Sequence, residues 1–182
     1  MNCPVCRNTA LCGSDLAGNL EAMLCRQCGG RWVRSFHYWK WLDKQQAGSA
    51  DKPHVDVPAA AVMDSPAGKL CPECGHFLTQ RKVGHGVDFC LDRCNSCGGI
   101  WFDANEWEVL MGLGLHDHVH FIFSAGWQKE VRDAEAEATR AKRVEAIVGP
   151  ADFVRLQETA AWINTHPAKS VLLGYLLDKQ PG

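Results

Sequence analysis

Cysteine is the residue type whose number and spacing most clearly indicate chemistry in this sequence. The chain has 10 cysteines among 182 residues, and eight of them form four C-x-x-C pairs. These pairs are Cys3 with Cys6, Cys25 with Cys28, Cys71 with Cys74, and Cys94 with Cys97. Because each C-x-x-C turn can aim two sulfur atoms at one point, the pairs are suited to metal binding or to thiol redox chemistry.

The separation between successive pairs favours metal binding. Cys6 and Cys25 are separated by 18 residues and Cys74 and Cys94 by 19, which leaves room for a hairpin that brings two turns together. This is the spacing of a tetrahedral four-thiolate zinc site, so the sequence predicts two Zn²⁺ ions, each bound by two of the pairs. Since four thiolates leave no open coordination position, we expect both ions to be structural and not catalytic.

The expected cellular compartment favours metal or redox chemistry, and iron is the one alternative to zinc. The N-terminal residues MNCPVCRN contain no apolar signal segment and no apolar run is long enough to span a bilayer, so we expect a cytoplasmic protein without a membrane segment. In a reducing cytosol, paired cysteines are better explained by metal coordination or redox chemistry than by structural disulfides. A four-cysteine site can also bind iron, so an iron-binding redox protein is an alternative hypothesis.

The cysteine pairs lie in an internal duplication. Residues 3–42 align with residues 71–111, with CRQCGGRW in the first copy and CNSCGGIW in the second. The stretch between the copies is rich in Gly, Pro, Ala and Ser without helical or strand periodicity, which is typical of a mobile linker. We therefore predict four segments: a first metal-binding unit at 1–44, a linker at 45–68, a second unit at 69–114 and a C-terminal region at 115–182.

The second copy resembles the transcription factor IIB-like zinc-ribbon family of bacterial proteins. The family pattern is a CPxC turn, a hairpin and then CxxCGGxWxDxxE at the start of a helix, and the matching residues here are Cys71, Cys74, Cys94, Cys97, Gly98, Gly99, Trp101, Asp103 and Glu106. The resemblance implies two tandem zinc ribbons, which are small β-hairpin units that each hold one metal ion. It also implies a transcription-related role through contacts with a protein partner.

Two acidic residues of the second copy have the spacing of a helix cap. Asp103 and Glu106 stand in the relation of an N-cap and the third residue of the helix that follows. We therefore expect a capping box at this point and not a pair of catalytic carboxylates.

The first copy carries cations and aromatic residues where the second has these acids. Arg34 and His37 replace them within RSFHYWKW, and the candidate partner-binding residues there are Arg34, His37, Trp39, Lys40 and Trp41. Mixed cations and aromatic rings suit either nucleic acid or an acidic groove on a protein. The alternative is that Phe36, Tyr38, Trp39 and Trp41 cover the ribbon core.

The C-terminal third has a helical pattern. Apolar residues recur at intervals of three and four from Trp127 to Val148, which predicts one helix ended by the Gly-Pro pair at 149–150. Two further helical patterns follow after residue 150. We expect a small helical hairpin or bundle, and its alanine stripe could approach another helix of this chain or of a second copy in a homo-oligomer.

The remaining residues with ligand chemistry are three histidines and two cysteines. His116, His118 and His120 could bind a third metal ion, although a polar connector is the alternative because no HExxH-type motif accompanies them. Cys12 and Cys90 lie outside the pairs, and we expect them to be half-buried apolar residues.

These observations predict a small metal-stabilised α+β protein, with two tandem zinc ribbons followed by a C-terminal α-helical segment. No catalytic constellation is recognisable, so we expect a non-enzymatic zinc-binding adaptor or regulatory protein that recognises a protein partner through its ribbons and helical tail. Direct nucleic-acid binding through the first ribbon is an alternative. The net charge of −2, which two four-thiolate zinc sites make more negative, argues against unspecific coating of DNA.

Overall fold

The predicted fold class is confirmed by the computed structural model, which describes residues 1–16, 19–47, 62, 65 and 67–178. Two compact units are present, Met1–Val131 and Arg132–Gly182. The described strands are β1 Cys12–Leu16, β2 Leu20–Leu24, β3 Arg31–Val33, β4 Leu78–Gly84, β5 Val87–Cys94 and β6 Ile100–Phe102. The described helices are α1 Ser35–Ala47, α2 Glu106–Gly112, α3 Val119–Ile122, α4 Ala125–Val148, α5 Pro150–Thr165 and α6 Lys169–Asp178.

The two copies of the duplication share one antiparallel sheet. Its strand order is β1-β2-β3-β6-β5-β4, so each copy contributes three strands and the two copies meet where β3 pairs with β6. The register of that pair is symmetric about Trp32 and Trp101, which lie directly opposite each other. The sequence pattern places the copies in separate segments and contains no signal for their pairing, so the shared sheet is visible only in the structure.

The second glycine of each CGG motif makes room for the tryptophan of the other copy. A Cβ atom added at Gly30 would lie 2.2 Å from Cζ2 of Trp101, and one added at Gly99 would lie 2.2 Å from Cζ2 of Trp32. Both indoles are fully buried. The reciprocal Trp–Gly contact therefore requires two copies of the motif, and it explains a glycine that metal binding alone does not need.

The two faces of the sheet have different coverings. On one face Trp32 and Trp101 pack in a cluster with cysteines of both sets. On the other face a larger apolar cluster includes Val33 of β3, Trp41 of α1 and Trp107 of α2. Strand alternation accounts for this division, since neighbouring residues of a strand point to opposite faces.

The described helices show how the chain continues past the predicted segment boundaries at 44 and 114. Helix α1 continues to Ala47, and most of the predicted linker lies outside the described residues. At the other end, the compact unit that holds the sheet runs to Val131, because the first turns of α4 contact the edge strand β4. The indole Nε1 of Trp127 donates to the C=O of Val83 at 2.9 Å, and Gln128 Nε2 donates to that of Lys82 at 2.8 Å.

The second compact unit, which begins at Arg132, is helical, as predicted for the C-terminal region, but buries few side chains. Among its described residues, Ile163 is buried, whereas α6 has no buried residue. Large apolar side chains are exposed at Ile147, Val148, Val154, Leu156, Trp162, Val171, Leu173, Tyr175, Leu176 and Leu177. Helices of this kind gain most of their stability from packing of an apolar face, so this unit has apolar surface left to pack.

A methyl group at either contact glycine should destabilise the protein. We expect Gly30→Ala and Gly99→Ala each to lower the free energy of unfolding of the zinc-loaded protein by about 1–3 kcal/mol, because the added Cβ overpacks a buried ring. Gly13→Ala is the matched control, since nothing lies within 4 Å of a Cβ atom there. Urea denaturation followed by tryptophan fluorescence measures the three values. Equal effects at all three positions would contradict the reciprocal contact.

Candidate metal centres

The structure gathers the eight predicted cysteines into two groups. The four Sγ atoms of each group lie within 4.8 Å of one another, and the groups are Cys3, Cys6, Cys25 and Cys28, and Cys71, Cys74, Cys94 and Cys97. Sγ–Sγ distances include 3.6 Å for Cys3–Cys28, 3.9 Å for Cys6–Cys25, 3.6 Å for Cys71–Cys97 and 3.4 Å for Cys74–Cys94. A tetrahedral ion with Zn–S bonds of about 2.3 Å separates its ligands by about 3.8 Å, so both groups fit zinc.

Each C-x-x-C turn is closed by the residue that follows its second cysteine. The N–H groups of Arg7, Gly29, Gly75 and Gly98 donate to the C=O of the first cysteine at 2.8, 2.9, 3.0 and 2.8 Å. All four residues have a left-handed φ, which is 63° at Arg7. Glycine adopts this conformation without a Cβ penalty, whereas Arg7 adopts it at a cost.

The thiols of each group differ in how readily they ionise. Burial raises the pKa of Cys3 to about 11 and also raises the pKa values of Cys28, Cys71 and Cys97. Burial acts to raise the pKa of Cys25, but hydrogen bonds from backbone N–H groups of its turn lower that pKa to about 7. The backbone of His76 lowers the pKa of Cys74 to about 6. Four clustered thiolates therefore need a cation to offset their burial and mutual repulsion.

The donor sets are compatible with two structural zinc ions, as predicted. All four donors of each group are sulfur, and the spacing of the sulfurs matches a tetrahedral ion. When bound, zinc would link the two turns of a ribbon and supply part of the folding free energy of the unit. The chain's own contribution is the orientation of the sulfurs, in which Cys6 N–H donates to Cys3 Sγ at 3.3 Å and Glu73 N–H donates to Cys71 Sγ at 3.4 Å.

The histidines and the remaining cysteines do not join a metal-binding group within the described residues. Trp41 and Trp107 pack against His116, and Trp39 packs against His120 with ring centroids 4.9 Å apart. His118 Nδ1 lies 2.6 Å from a carboxylate oxygen of the adjacent Asp117. Cys12 and Cys90 are half-buried, as expected.

The expected capping box is only half formed, which corrects the role assigned to Asp103. Helix α2 begins at Glu106 with Asn105 as its N-cap, and no side chain caps it. Glu106 Oε2 does accept a hydrogen bond from the N–H of Asp103 at 2.8 Å. The Asp103 carboxylate turns instead towards the sheet, where Oδ1 accepts from Trp101 Nε1 at 2.7 Å.

Asp103 belongs to a buried ion network that the sequence analysis missed. Lys69 Nζ lies 2.6 Å from Asp92 and 3.0 Å from Asp103, and all three residues are buried. Although burial opposes the charge, Asp92 and Asp103 raise the pKa of Lys69. The backbone of Ser65 donates to Asp103 at 2.9 Å and accepts from Lys69 at 2.9 Å. The single sequence signal was the acidic Asp92, which strand alternation places on the same face of β5 as Cys94.

The candidate partner-binding residues of the first ribbon do not form one exposed surface. Trp41 is buried in the core, as the alternative interpretation expected for part of this segment. Arg34 forms an ion pair with Glu73, and His37 lies 3.0 Å from Glu21. Trp39 is partly exposed, and the Lys40 ammonium lies over the ring of the exposed Phe36.

Comparison with known proteins supports the assignment of the second ribbon. Residues 70–111 match the family model described as transcription factor zinc-finger. The match covers β4 to β6 and all four cysteines of the second group, whereas the first ribbon lies outside it. No curated protein and no solved structure matches the chain significantly. Among the described residues, no helix is both long and apolar enough to cross a membrane.

Replacing one cysteine ligand should cause the loss of one zinc ion. At a buffered zinc concentration where the wild-type protein holds two ions, we expect Cys3→Ser and Cys71→Ser to hold one, because each leaves its site with three thiolates. Cys12→Ser and Cys90→Ser are matched controls that should hold two. Native mass spectrometry counts the ions and distinguishes zinc from iron by mass. Equal loss of zinc from the control variants would contradict the assigned ligands.

Removing the cation of the buried network should be strongly destabilising. We expect Lys69→Met to lower the free energy of unfolding by about 3–5 kcal/mol, because it leaves buried carboxylates without their cation. Adding Asp92→Met should recover part of the loss by removing one of them. Lys82→Met is the control, since Lys82 pairs with the exposed Asp88 and should matter little. Denaturant titration compares the variants, and an effect of Lys69→Met no larger than that of Lys82→Met would contradict the network.

Proposed function

We propose that this chain is a non-enzymatic zinc protein of the cytoplasm that acts as a transcription-related adaptor or regulator. Its ribbons form a rigid sheet, and its helical tail contacts a protein partner. The family match at residues 70–111 supports the link to transcription. The closed four-sulfur sites support a structural role for the metal, since no coordination position is left for a substrate or water.

Exposed apolar surface in the second unit is the single observation that most favours a protein partner. Trp162 is 54% exposed, Val171 71% and Leu177 69%. Large apolar groups exposed together on neighbouring helices favour contact with another protein. A second copy of the chain is one candidate occupant of this surface, and a different protein is the other.

Direct nucleic-acid binding through the first ribbon is the less favoured candidate. Base stacking needs accessible aromatic rings, whereas Trp41 is buried and Trp39 is partly covered by His120. His37 lies 3.0 Å from the Glu21 carboxylate. These contacts reduce the number of groups that the first ribbon can offer to a phosphate backbone.

The adaptor proposal predicts that charge introduced on the helical unit abolishes partner binding. We expect the tagged, zinc-loaded chain to enrich a specific protein from lysate of its source cells, and the double variant Trp162→Asp/Leu177→Asp to reduce that enrichment at least tenfold. Glu158→Lys, at an exposed polar position of α5, is the matched control and should bind normally.

The readout is quantitative mass spectrometry of the captured proteins, with light scattering to detect a dimer of the chain. A chain that is monomeric and enriches nothing, or a double variant that binds as well as the wild type, would contradict the proposal. Binding of DNA or RNA that weakens steeply with salt would favour the nucleic-acid candidate instead.

A further inference from the structure

The first ribbon has an open cleft on the tryptophan face of the sheet. Its volume is about 330 Å³, and the residues that matter for its chemistry are Asp15, Glu21, Met23, Trp32, Arg34 and His37. The volume is at the lower end of the range found for ligand sites in proteins, which is enough for one or two side chains. Strands β1 and β2 form its floor.

The buried indole of Trp32, one of the residues lining this cleft, has an unsatisfied hydrogen-bond donor. Trp32 is 0% exposed, and its Nε1 has no hydrogen-bond partner among the described residues. The opposing indole of the second ribbon shows what the donor requires, since Trp101 Nε1 donates to the Asp103 carboxylate at 2.7 Å. An indole N–H usually finds a partner when buried, because an unpaired donor is costly.

The difference between the ribbons lies in three aligned positions. The second ribbon has Lys69 two residues before its first cysteine, Asp92 opposite Trp101 and Asp103 two residues after it. The corresponding residues of the first ribbon are Met1, Met23 and Arg34. The first ribbon therefore lacks the carboxylate that the indole would use, and it places a cation where that carboxylate would be.

The second ribbon also shows what kind of molecule fits beside the tryptophan. There, the backbone of Ser65 donates to Asp103 and accepts from Lys69, so a backbone peptide group lies beside the network. In the first ribbon, no described residue makes the backbone hydrogen bonds that Ser65 makes in the second. By comparison with the second ribbon, a ligand that filled the cleft would bring a peptide backbone and an acidic group to Trp32.

We propose that this cleft binds an acidic side chain carried by a peptide segment of a protein partner. The ligand carboxylate accepts a hydrogen bond from Trp32 Nε1 and pairs with Arg34, which has N–H donors beyond the one it gives to Glu73. The side chain of Arg34 is 48% exposed, so it can shift to admit the carboxylate.

The rim of the cleft selects for a single acidic group. Asp15 and Glu21 line the same cleft, and Glu21 lies 3.0 Å from His37 Nδ1. Their negative charges oppose a run of acids or a nucleic-acid backbone, whereas one carboxylate between neutral residues can reach Arg34. The inference rests on the proposed adaptor function and names the surface and the ligand chemistry that such an adaptor would use.

The Trp32 indole N–H signal in ¹H–¹⁵N NMR spectra tests the inference directly. The probes are acetyl-Ala-Glu-Ala-amide and acetyl-Ala-Gln-Ala-amide, added to the zinc-loaded full chain. We expect the glutamate probe to shift the Trp32 signal downfield with saturation and the glutamine probe to bind at least tenfold more weakly. An unmoved Trp32 signal, or equal responses to both probes, would overturn the proposal.

Two variants of Arg34 sharpen the test. Arg34→Asp supplies the acceptor internally, so the Trp32 signal should move towards that of Trp101 without a probe, and the glutamate probe should no longer bind. Arg34→Met keeps the bulk and removes the charge, so probe affinity should fall at least tenfold. A variant that binds the glutamate probe as well as the wild type does would contradict the role of Arg34.

The outcomes separate this inference from the proposed function. If a partner is captured and Trp32 does not respond to the glutamate probe, the cleft proposal fails and the adaptor function stands. If the probe binds at Trp32 and the chain enriches no protein, the adaptor function fails while the carboxylate site stands.

Discussion

The contact between each tryptophan and the glycine of the opposite ribbon constrains the rest of the molecule. Trp32 and Trp101 fit into spaces that exist only because Gly99 and Gly30 have no side chain. This contact places β3 beside β6, and it packs both indoles with cysteines of both metal-binding groups. The two ribbons are therefore parts of one folding unit, and the state of one metal site should affect the other.

The duplication is symmetric in its framework and asymmetric in its polar groups. Both halves keep the four sulfurs, the left-handed turns and the tryptophan. The second half adds Lys69, Asp92 and Asp103, which join the backbone of Ser65 to the sheet. In the first half the aligned positions hold Met1, Met23 and Arg34, and a cleft remains. One framework thus carries a sheet tryptophan, Trp101, that is hydrogen-bonded to Asp103, and another, Trp32, whose Nε1 has no partner among the described residues.

Local patterns in the sequence predicted the metal-binding groups and the element types, whereas contacts between the copies could not be read from them. The C-x-x-C spacing and the helical periodicity are properties of short segments, so they identified the sulfur groups and α4. The pairing of β3 with β6 joins two segments about 70 residues apart, so no local pattern within CGGxW indicates it. The spacing of Asp103 and Glu106 fitted a capping box. The Asp103 carboxylate instead contacts Lys69 and Trp101, which lie near it only in the folded sheet.

Stepwise removal of zinc followed by native mass spectrometry and hydrogen exchange tests the central claim most directly, because it reports metal content and sheet protection together. If the ions and the Trp–Gly contact hold one unit together, amide protection of β1 to β6 should fall as a block as zinc is removed, and a one-zinc species should show weakened protection in both halves of the sheet. A zinc-free chain with a protected sheet, or two halves that lose protection independently, would contradict the account.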